Sequence, residues 1–229
     1  MVDRHPSAVS RQAMQARVVY EVPGLHESEL AAEPLTQFAR WFGDAEAAGV
    51  PEPNAMSLAT SGPDGPSVRV VLAKEVAADG IRFFTNLGSR KARDIEFDPR
   101  AAVVFAWIAQ HRQVRFTGTV ELLGRDECEV YFRTRPRGAQ IGAWASRQSA
   151  VLDSRDDLAQ RAAAVASTHP EGAPVPLPDH WGGYLIRPTE VEFWQGQPSR
   201  LHDRLRFRAI DPGARLDDPR AWQVERLFP

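Results

Sequence analysis

Twenty-six of the twenty-eight basic residues in this chain are arginines, and the two lysines, Lys74 and Lys91, each follow an apolar run. A chain so tilted towards arginine keeps lysine where a compact ammonium serves better than a planar fork, and phosphate sites are one such place. Lys74 closes the run Arg69, Val70, Val71, Leu72, Ala73, Lys74; Lys91 follows Ser89-Arg90, just past Ile81 to Thr85. Two basic clusters at the ends of successive strands suggest a site for phosphorylated ligands. Two lysines left on a solvated face would give the same spacing, so the pattern alone leaves both readings open.

A second concentration of chemistry runs from Glu192 to Arg204: an aromatic strand, a Gly/Pro turn, then Arg200, His202 and Arg204 at every second position. If that stretch is extended, alternation puts the three on one face beside Trp194 and makes a wall for an anionic, aromatic ligand. A charged strand edge facing solvent would read the same way. Tyr131 and Arg135 are four apart and share a helix face, as an exposed aromatic–cation pair would too. Gln148 and Ser149 add neutral hydrogen-bonding groups that mean nothing alone. No Gly-rich dinucleotide fingerprint, P-loop, His-Glu-x-x-His or Gly-x-Ser-x-Gly occurs, and the six histidines lack metal-ligand spacing. No metal is expected.

Composition narrows the class. The 229 residues bury a full core with ease, and 43% hydrophobic with 25% charged residues is ordinary for a globular protein. A net charge of −2 argues against a general binder of nucleic acid or membrane surfaces. Cys128 is the only cysteine, so neither an intrachain disulfide nor a thiolate zinc cluster can form. Its acidic neighbours mark it as an inert helix residue. With no signal-peptide core and no apolar run near membrane length, a cytoplasmic protein is expected.

These residues need elements to hold them. Residues 1–24 read as a flexible polar segment and 25–229 as one domain. A helix should begin near Pro34 and end near Gly49, with Leu35, Phe38, Phe42 and Ala45 on one face. Strands are expected over Ala55–Thr60, Val68–Lys74, Ile81–Thr85, Ala101–Ile108 and Gln113–Leu122. A short helix should be capped by the Ser89 hydroxyl. Helices follow at about 125–134, 137–145 and 154–167, then an irregular proline-rich crossing from His169 to Trp181. Strands return over Gly183–Arg187, Val191–Trp194, Leu205–Ile210 and Trp222–Leu227. The fold class is mainly β with peripheral helices, an antiparallel barrel.

In order and spacing, these blocks resemble the pyridoxine/pyridoxamine 5′-phosphate oxidase family. The matching stretches are Arg69 to Lys74, Phe84 to Lys91, Arg112 to Arg115 with Gly118, Arg135 to Trp144 with Gln148-Ser149, Trp181 to Tyr184, and Glu192 to Arg204. One such stretch would be weak; six in register, from about Leu25 to the C-terminus, are specific. The resemblance implies an FMN-binding split β-barrel that works as a homodimer, with FMN in clefts at the subunit interface. Arg69, Lys91 and Ser149, helped by Arg90 and Gln148, match the FMN phosphate site. The backbone of Val70, Val71, Leu72, Ala73 and Lys74, with Phe84, Thr85, Gln113, Trp194 and Arg204, matches the contacts around the rest of the flavin.

The same resemblance gives Lys74, Tyr131 and Arg135 to the phosphate of the vitamin. Arg200, Leu201 and His202 go to its ring, with Arg200 and His202 as the catalytic pair. Two dianions need two separate Arg/Lys groups, so each lysine falls to one phosphate. The implied reaction takes pyridoxamine 5′-phosphate or pyridoxine 5′-phosphate to pyridoxal 5′-phosphate by hydride transfer to FMN, with O2 reduced to hydrogen peroxide. Neither a nucleic acid nor a membrane is an expected partner.

The chain departs from the pattern at three places. Ala139 stands where serine is usual, removing one hydroxyl from the substrate phosphate site. Arg17-Val-Val-Tyr20 changes the charge of a segment whose Arg17 and Tyr20 could fold over the substrate. Ile210 to Arg220 reads as a long polar surface insertion. Two alternatives stand beside this reading: a same-fold oxidase of another aromatic substrate, such as a phenazine-pathway enzyme, and a non-catalytic flavin binder.

Overall fold

A computed structural model describes Tyr20 and residues 22–229. The expected flexible segment, and Arg17 within it, fall outside the described residues apart from Tyr20 and residues 22–24. Among the described residues nine antiparallel strands form one sheet: β1 (Ala55–Gly62), β2 (Gly65–Leu72), β3 (Glu75–Ala77), β4 (Gly80–Asn86), β5 (Arg100–Trp107), β6 (Arg112–Leu122), β7 (Trp181–Gln195), β8 (Asp203–Ala209) and β9 (Trp222–Arg226). The α-helices described around it are α1 (Pro34–Ala47), α2 (Arg90–Phe97), α3 (Arg125–Thr134), α4 (Arg137–Ala145) and α5 (Arg155–Thr168). Among the described residues no helix is long and apolar enough to cross a membrane.

The sheet forks at β7. Along one edge β7 pairs with β6 over 184–195; along the other it pairs with β4 over 181–186 and with β8 over 190–195. The expected pair of strands, Gly183–Arg187 and Val191–Trp194, is thus one strand of fifteen residues running through Pro188. Proline lacks the N–H a continuous ladder needs, so the change of partner falls where the ladder must lapse. Opposite it, the β6 register slips between Thr117 and Gly118. A Cβ at Gly118 would be driven into the carbonyl of Arg187, so only glycine fits this crossing.

The main core fills the inside of the barrel. Alternation along β1 sends Met56, Leu58 and Thr60 inward. Helix α1, begun by Pro34 and capped by Glu33, plugs one side. Its Phe38 packs edge-on against Phe105 and Phe116 at 5.0 and 5.5 Å, and Trp41 against Phe193 at 5.3 Å. A smaller cluster joins α3, α4 and the proline-rich crossing through Cys128, Phe132, Ala143, Val175, Leu177 and Trp181. Burial pushes the Cys128 thiol pKa up, which leaves it inert as expected.

Two sequence expectations need correction here. The turn from Ile210 to Arg220 is no loose insertion: Leu216 is fully buried, its N–H donates to Ala78, and its carbonyl accepts from Leu35. Polar neighbours hid one apolar anchor. The stretch after β7 is also not extended. Pro198–Arg200 is a 3-10 turn with positive φ at Ser199 and Arg200, and β8 starts only at Asp203. Arg200, His202 and Arg204 therefore do not alternate along one strand face.

Leu216→Ala should cost about 2–5 kcal/mol of stability, whereas Ile210→Ala, exposed in the same turn, should stay within about 0.5 kcal/mol. Urea denaturation of both variants checks this; equal losses would contradict the anchoring role.

Candidate active site

The β1–β2 hairpin, the β4–α2 junction and the loop after α4 converge on one group of cations. Lys91, in the first turn of α2, is buried and directs Nζ to three neutral oxygens: Thr85 Oγ1 at 3.0 Å, Ser89 Oγ at 3.2 Å and Gln148 Oε1 at 2.6 Å. The Ser89 hydroxyl is therefore spent on Lys91 and makes no helix cap, contrary to expectation; only its backbone carbonyl receives helical N–H groups. Burial first, then the nearby charge of Arg69, bring the Lys91 pKa from 10.5 down to about 8. No carboxylate pairs with Lys91 among the described residues.

Arg69 lies on β2 opposite Leu58. Its guanidinium donates to Leu58 O at 3.1 Å, to Thr60 Oγ1 at 2.7 Å and to Ser67 Oγ, and it lies 3.5 Å from Asp94. Burial lowers the Arg69 pKa despite the pull of Asp94. For Asp94, burial pushes up, but hydrogen bonds from Ser67 and Thr60, with the Arg69 charge, outweigh it and hold the carboxyl below its usual range. Asp94 sits three residues beyond Lys91 on the same helix face, a spacing that could have flagged it in the sequence.

The Gln148-Ser149 loop is tied down at three points. Asn86 Nδ2 donates to Ser146 O at 3.1 Å, Lys91 holds Gln148, and the Arg90 N–H donates to Ser149 Oγ at 3.1 Å. Ser149 takes a positive φ of 72° to reach that position. The exposed Arg90 stands at the start of α2 beside this group.

A second cationic group shares the cleft. Helix α3 supplies Tyr131 and its C-terminal neighbour Arg135. Tyr131 stacks on Phe84 at 4.0 Å, and Phe84 lies parallel to Trp181 at 5.5 Å. The Arg135 guanidinium rests over Trp181 at 4.7 Å, and its Nη1 is buried with no hydrogen-bond partner. Burial lowers its basicity. Arg69, Val70, Val71, Leu72, Lys74, Phe84, Thr85, Lys91, Tyr131, Arg135, Ala139 and Gln148 all line one cleft of about 720 Å³. Ala73 is buried behind it, donating its N–H to Asn54. Trp181 and Asn86, not picked out as site residues from the sequence, line it too.

The remaining expected residues lie elsewhere. Gln113, Trp194 and Arg204 are register partners across β6, β7 and β8 and face outward from the core. His202 packs on Trp194 with ring centroids 4.7 Å apart, while Arg200 and Leu201 are exposed. Arg204 is held by Glu192, at 2.7 and 3.1 Å. None of these lines the cleft within one chain. Strand connectivity separates them, and a sequence read as a single line cannot show it.

A forked antiparallel barrel carries two cation groups in one cleft, an arrangement with the charge to hold anionic ligands. Residues 42–169 match the family model described as pyridoxamine 5′-phosphate oxidase, and residues 181–229 match the pyridoxine 5′-phosphate oxidase C-terminal dimerisation region. The chain is 50% identical over 214 residues to a pyridoxine/pyridoxamine 5′-phosphate oxidase of Salinibacter ruber, covering 93% of this chain and 97% of that protein. It is 52% identical over 216 residues to one of Kineococcus radiotolerans, with the same coverage. Among solved structures, PhzG from Burkholderia lata, in complex with tetrahydrophenazine-1-carboxylic acid, aligns with TM-score 0.80 and 30% identity over 91% of this chain and 98% of its own. A pyridoxamine 5′-phosphate oxidase-related, FMN binding protein from Nostoc punctiforme shares the fold, with TM-score 0.64 and 18% identity over 88% of this chain and 99% of its own. The chain belongs to the pyridoxamine 5′-phosphate oxidase family, and is an oxidoreductase of that family with its split-barrel fold.

Lys91 makes stability depend on pH. With its folded pKa near 8 and an ordinary value of 10.5, the unfolded chain holds the proton more tightly between those values. Ligand-free protein should therefore gain stability as pH rises through that window, by at most about 3 kcal/mol. Lys91→Met should flatten the rise, and so should saturating inorganic phosphate, which keeps the ammonium charged. Melting curves at pH 8 and 10 test this; parallel slopes for both proteins would count against the buried, unpaired lysine.

Proposed function

We propose that this protein is an FMN-dependent oxidase that converts pyridoxamine 5′-phosphate and pyridoxine 5′-phosphate to pyridoxal 5′-phosphate, with O2 reduced to hydrogen peroxide. The observation that carries the reading is the second cation group. Arg135 keeps a buried Nη1 without a partner, in the same cleft as Lys74, Tyr131, Lys91 and Arg69. One phosphorylated ligand would leave that group unpaired; two would satisfy both.

The residues present fit FMN. Lys91 and Arg69, with Arg90, Gln148 and Ser149, would hold its phosphate, and the strand from Val70 to Lys74, with Phe84 and Thr85, the remainder. When bound, FMN supplies the hydride acceptor. Lys74, Tyr131 and Arg135 would grip the substrate phosphate. Tyr131 is fixed for this by its stack on Phe84, and Arg135 by its seat on Trp181. Anchoring that end orients the reacting carbon, which is most of what this step asks of the protein.

Gln113, Trp194, Arg200, Leu201, His202 and Arg204 would complete the site from a second copy of the chain. Support for a homodimer comes from their separation from the cleft and from the match of 181–229 to a dimerisation region. Tyr20 packs on His111 at 4.1 Å and on His202 at 5.8 Å, which puts it with the second set. A phenazine-type substrate is the second reading, favoured by the close likeness to PhzG and by the missing hydroxyl at Ala139. A carboxylate-bearing tricycle has no phosphate for the Lys74–Arg135 group.

Anaerobic addition of pyridoxamine 5′-phosphate should bleach the flavin absorption, and the dephosphorylated amine should do so far less well. Equal responses would favour the second reading. Arg135→Leu should raise KM for the phosphorylated amine by about tenfold to a hundredfold while FMN stays bound, whereas Lys91→Ala should lose FMN on dialysis; a charge-assisted hydrogen bond is worth about 1.5–3 kcal/mol. Ala139→Ser should tighten substrate binding by about 1 kcal/mol, read as a lower KM in steady-state assays.

A further inference from the structure

The ring of His202 is held by a turn that few sequences would adopt. Gln197 to His202 curl back until Nδ1 of His202 lies 3.0 Å from the backbone N of Gln197, which donates to it. The turn takes two successive non-glycine residues with positive φ, Ser199 at 57° and Arg200 at 64°. Such backbone persists only where its surroundings over-determine it, and it clusters where a geometry is used. A backbone N–H has no lone pair to offer, so Nδ1 must be the acceptor and carry no hydrogen. The hydrogen of the neutral ring then sits on Nε2. An imidazolium would set one N–H against another.

The groups around the ring support the neutral form. Trp194 packs at 4.7 Å on one side, and Tyr20, itself packed at a tilt on His111, approaches at 5.8 Å. The Arg200 charge opposes a second positive charge. Asp203 is the carboxylate that would favour one, but its Oδ2 accepts from the Leu25 N–H at 3.0 Å and its Oδ1 pairs with Arg226 at 2.7 Å. Burial, then Arg200, hold the His202 pKa below its ordinary 6.5 against the opposing pull of Asp203.

We infer that His202 is fixed as the Nε2–H tautomer and serves the site as a neutral hydrogen-bond donor to an acceptor atom of the substrate, not as the base that collects the substrate's proton. The inference takes the identity of the substrate from the function proposed above; the tautomer itself stands on the turn alone. Nδ1 is engaged and Nε2 already bears a hydrogen, so neither nitrogen is open to receive a proton. The proton lost by the amine or alcohol leaves by another route.

Two experiments on the FMN-loaded protein test it. Long-range 15N–1H correlation spectra of histidine-labelled protein, assigned with His202→Gln, should show a pyridine-like Nδ1 and a protonated Nε2 from pH 6.5 to 8. A protonated Nδ1 or a charged ring there overturns the inference, whatever the enzyme turns over. In steady-state oxidation of pyridoxamine 5′-phosphate, His202→Gln keeps an amide donor near Nε2. It should stay within about tenfold of the parent in kcat/KM with the same pH profile, while His202→Leu should fall by about a hundredfold or more. If Gln and Leu were equally impaired and both lost the acidic limb of the profile, His202 would be the base. Failure of the parent protein to oxidise the substrate at all would refute the proposed function and leave the spectroscopic test intact.

Discussion

The structure turns on a positive charge that no carboxylate pairs with among the described residues. Lys91 is buried among three neutral oxygens and faces the electrostatic pressure of Arg69, so its ammonium is held at a cost. Asp94 could have neutralised it, but Asp94 is committed to Arg69, Thr60 and Ser67. That division of labour keeps Arg69 aimed and Lys91 hungry for charge. Other basic residues differ: Arg82, Arg112, Arg206 and Arg226 each sit against carboxylates, whereas Lys91, Lys74 and Arg135 have none among the described residues.

The barrel exists to hold such a cleft open. Forking at β7 lets one strand serve two neighbours, so β4 can carry Phe84 and Thr85 to the cleft while β8 carries Arg204 to the outer face. The small cluster around Cys128 and Trp181 then sets α3 against the start of β7, which brings Tyr131 and Arg135 over the cleft from outside the barrel. Two packing units thus meet along the line where the two cation groups face each other.

Much of this was legible in the residues. The helices expected at about 125–134 and 137–145 are present, and the two lysines that the composition singled out line one cleft. What stayed hidden has physical reasons. The run through Pro188 reads as two strands because proline signals an end, and only the slip at Gly118 on the facing strand lets the chain continue. The Ser89 hydroxyl looked like a cap because a serine before a helix usually is one; Lys91, two residues on, takes it instead. The alternation of Arg200, His202 and Arg204 presumed extended backbone, and two positive-φ residues defeat it. Side-chain type is written in the sequence, but the partner each chooses depends on burial and competition.

Cys128 has a consequence for durability. An oxidase of the proposed kind would release peroxide at its own doorstep on every turnover, and soft sulfur atoms are the usual casualties. The only thiol in the chain is sealed beneath Phe132 and Trp181 with its thiolate form disfavoured, and Met56 is likewise sealed in the barrel. Among the described residues sulfur is thus kept out of reach, which would spare such a catalyst oxidative self-damage there.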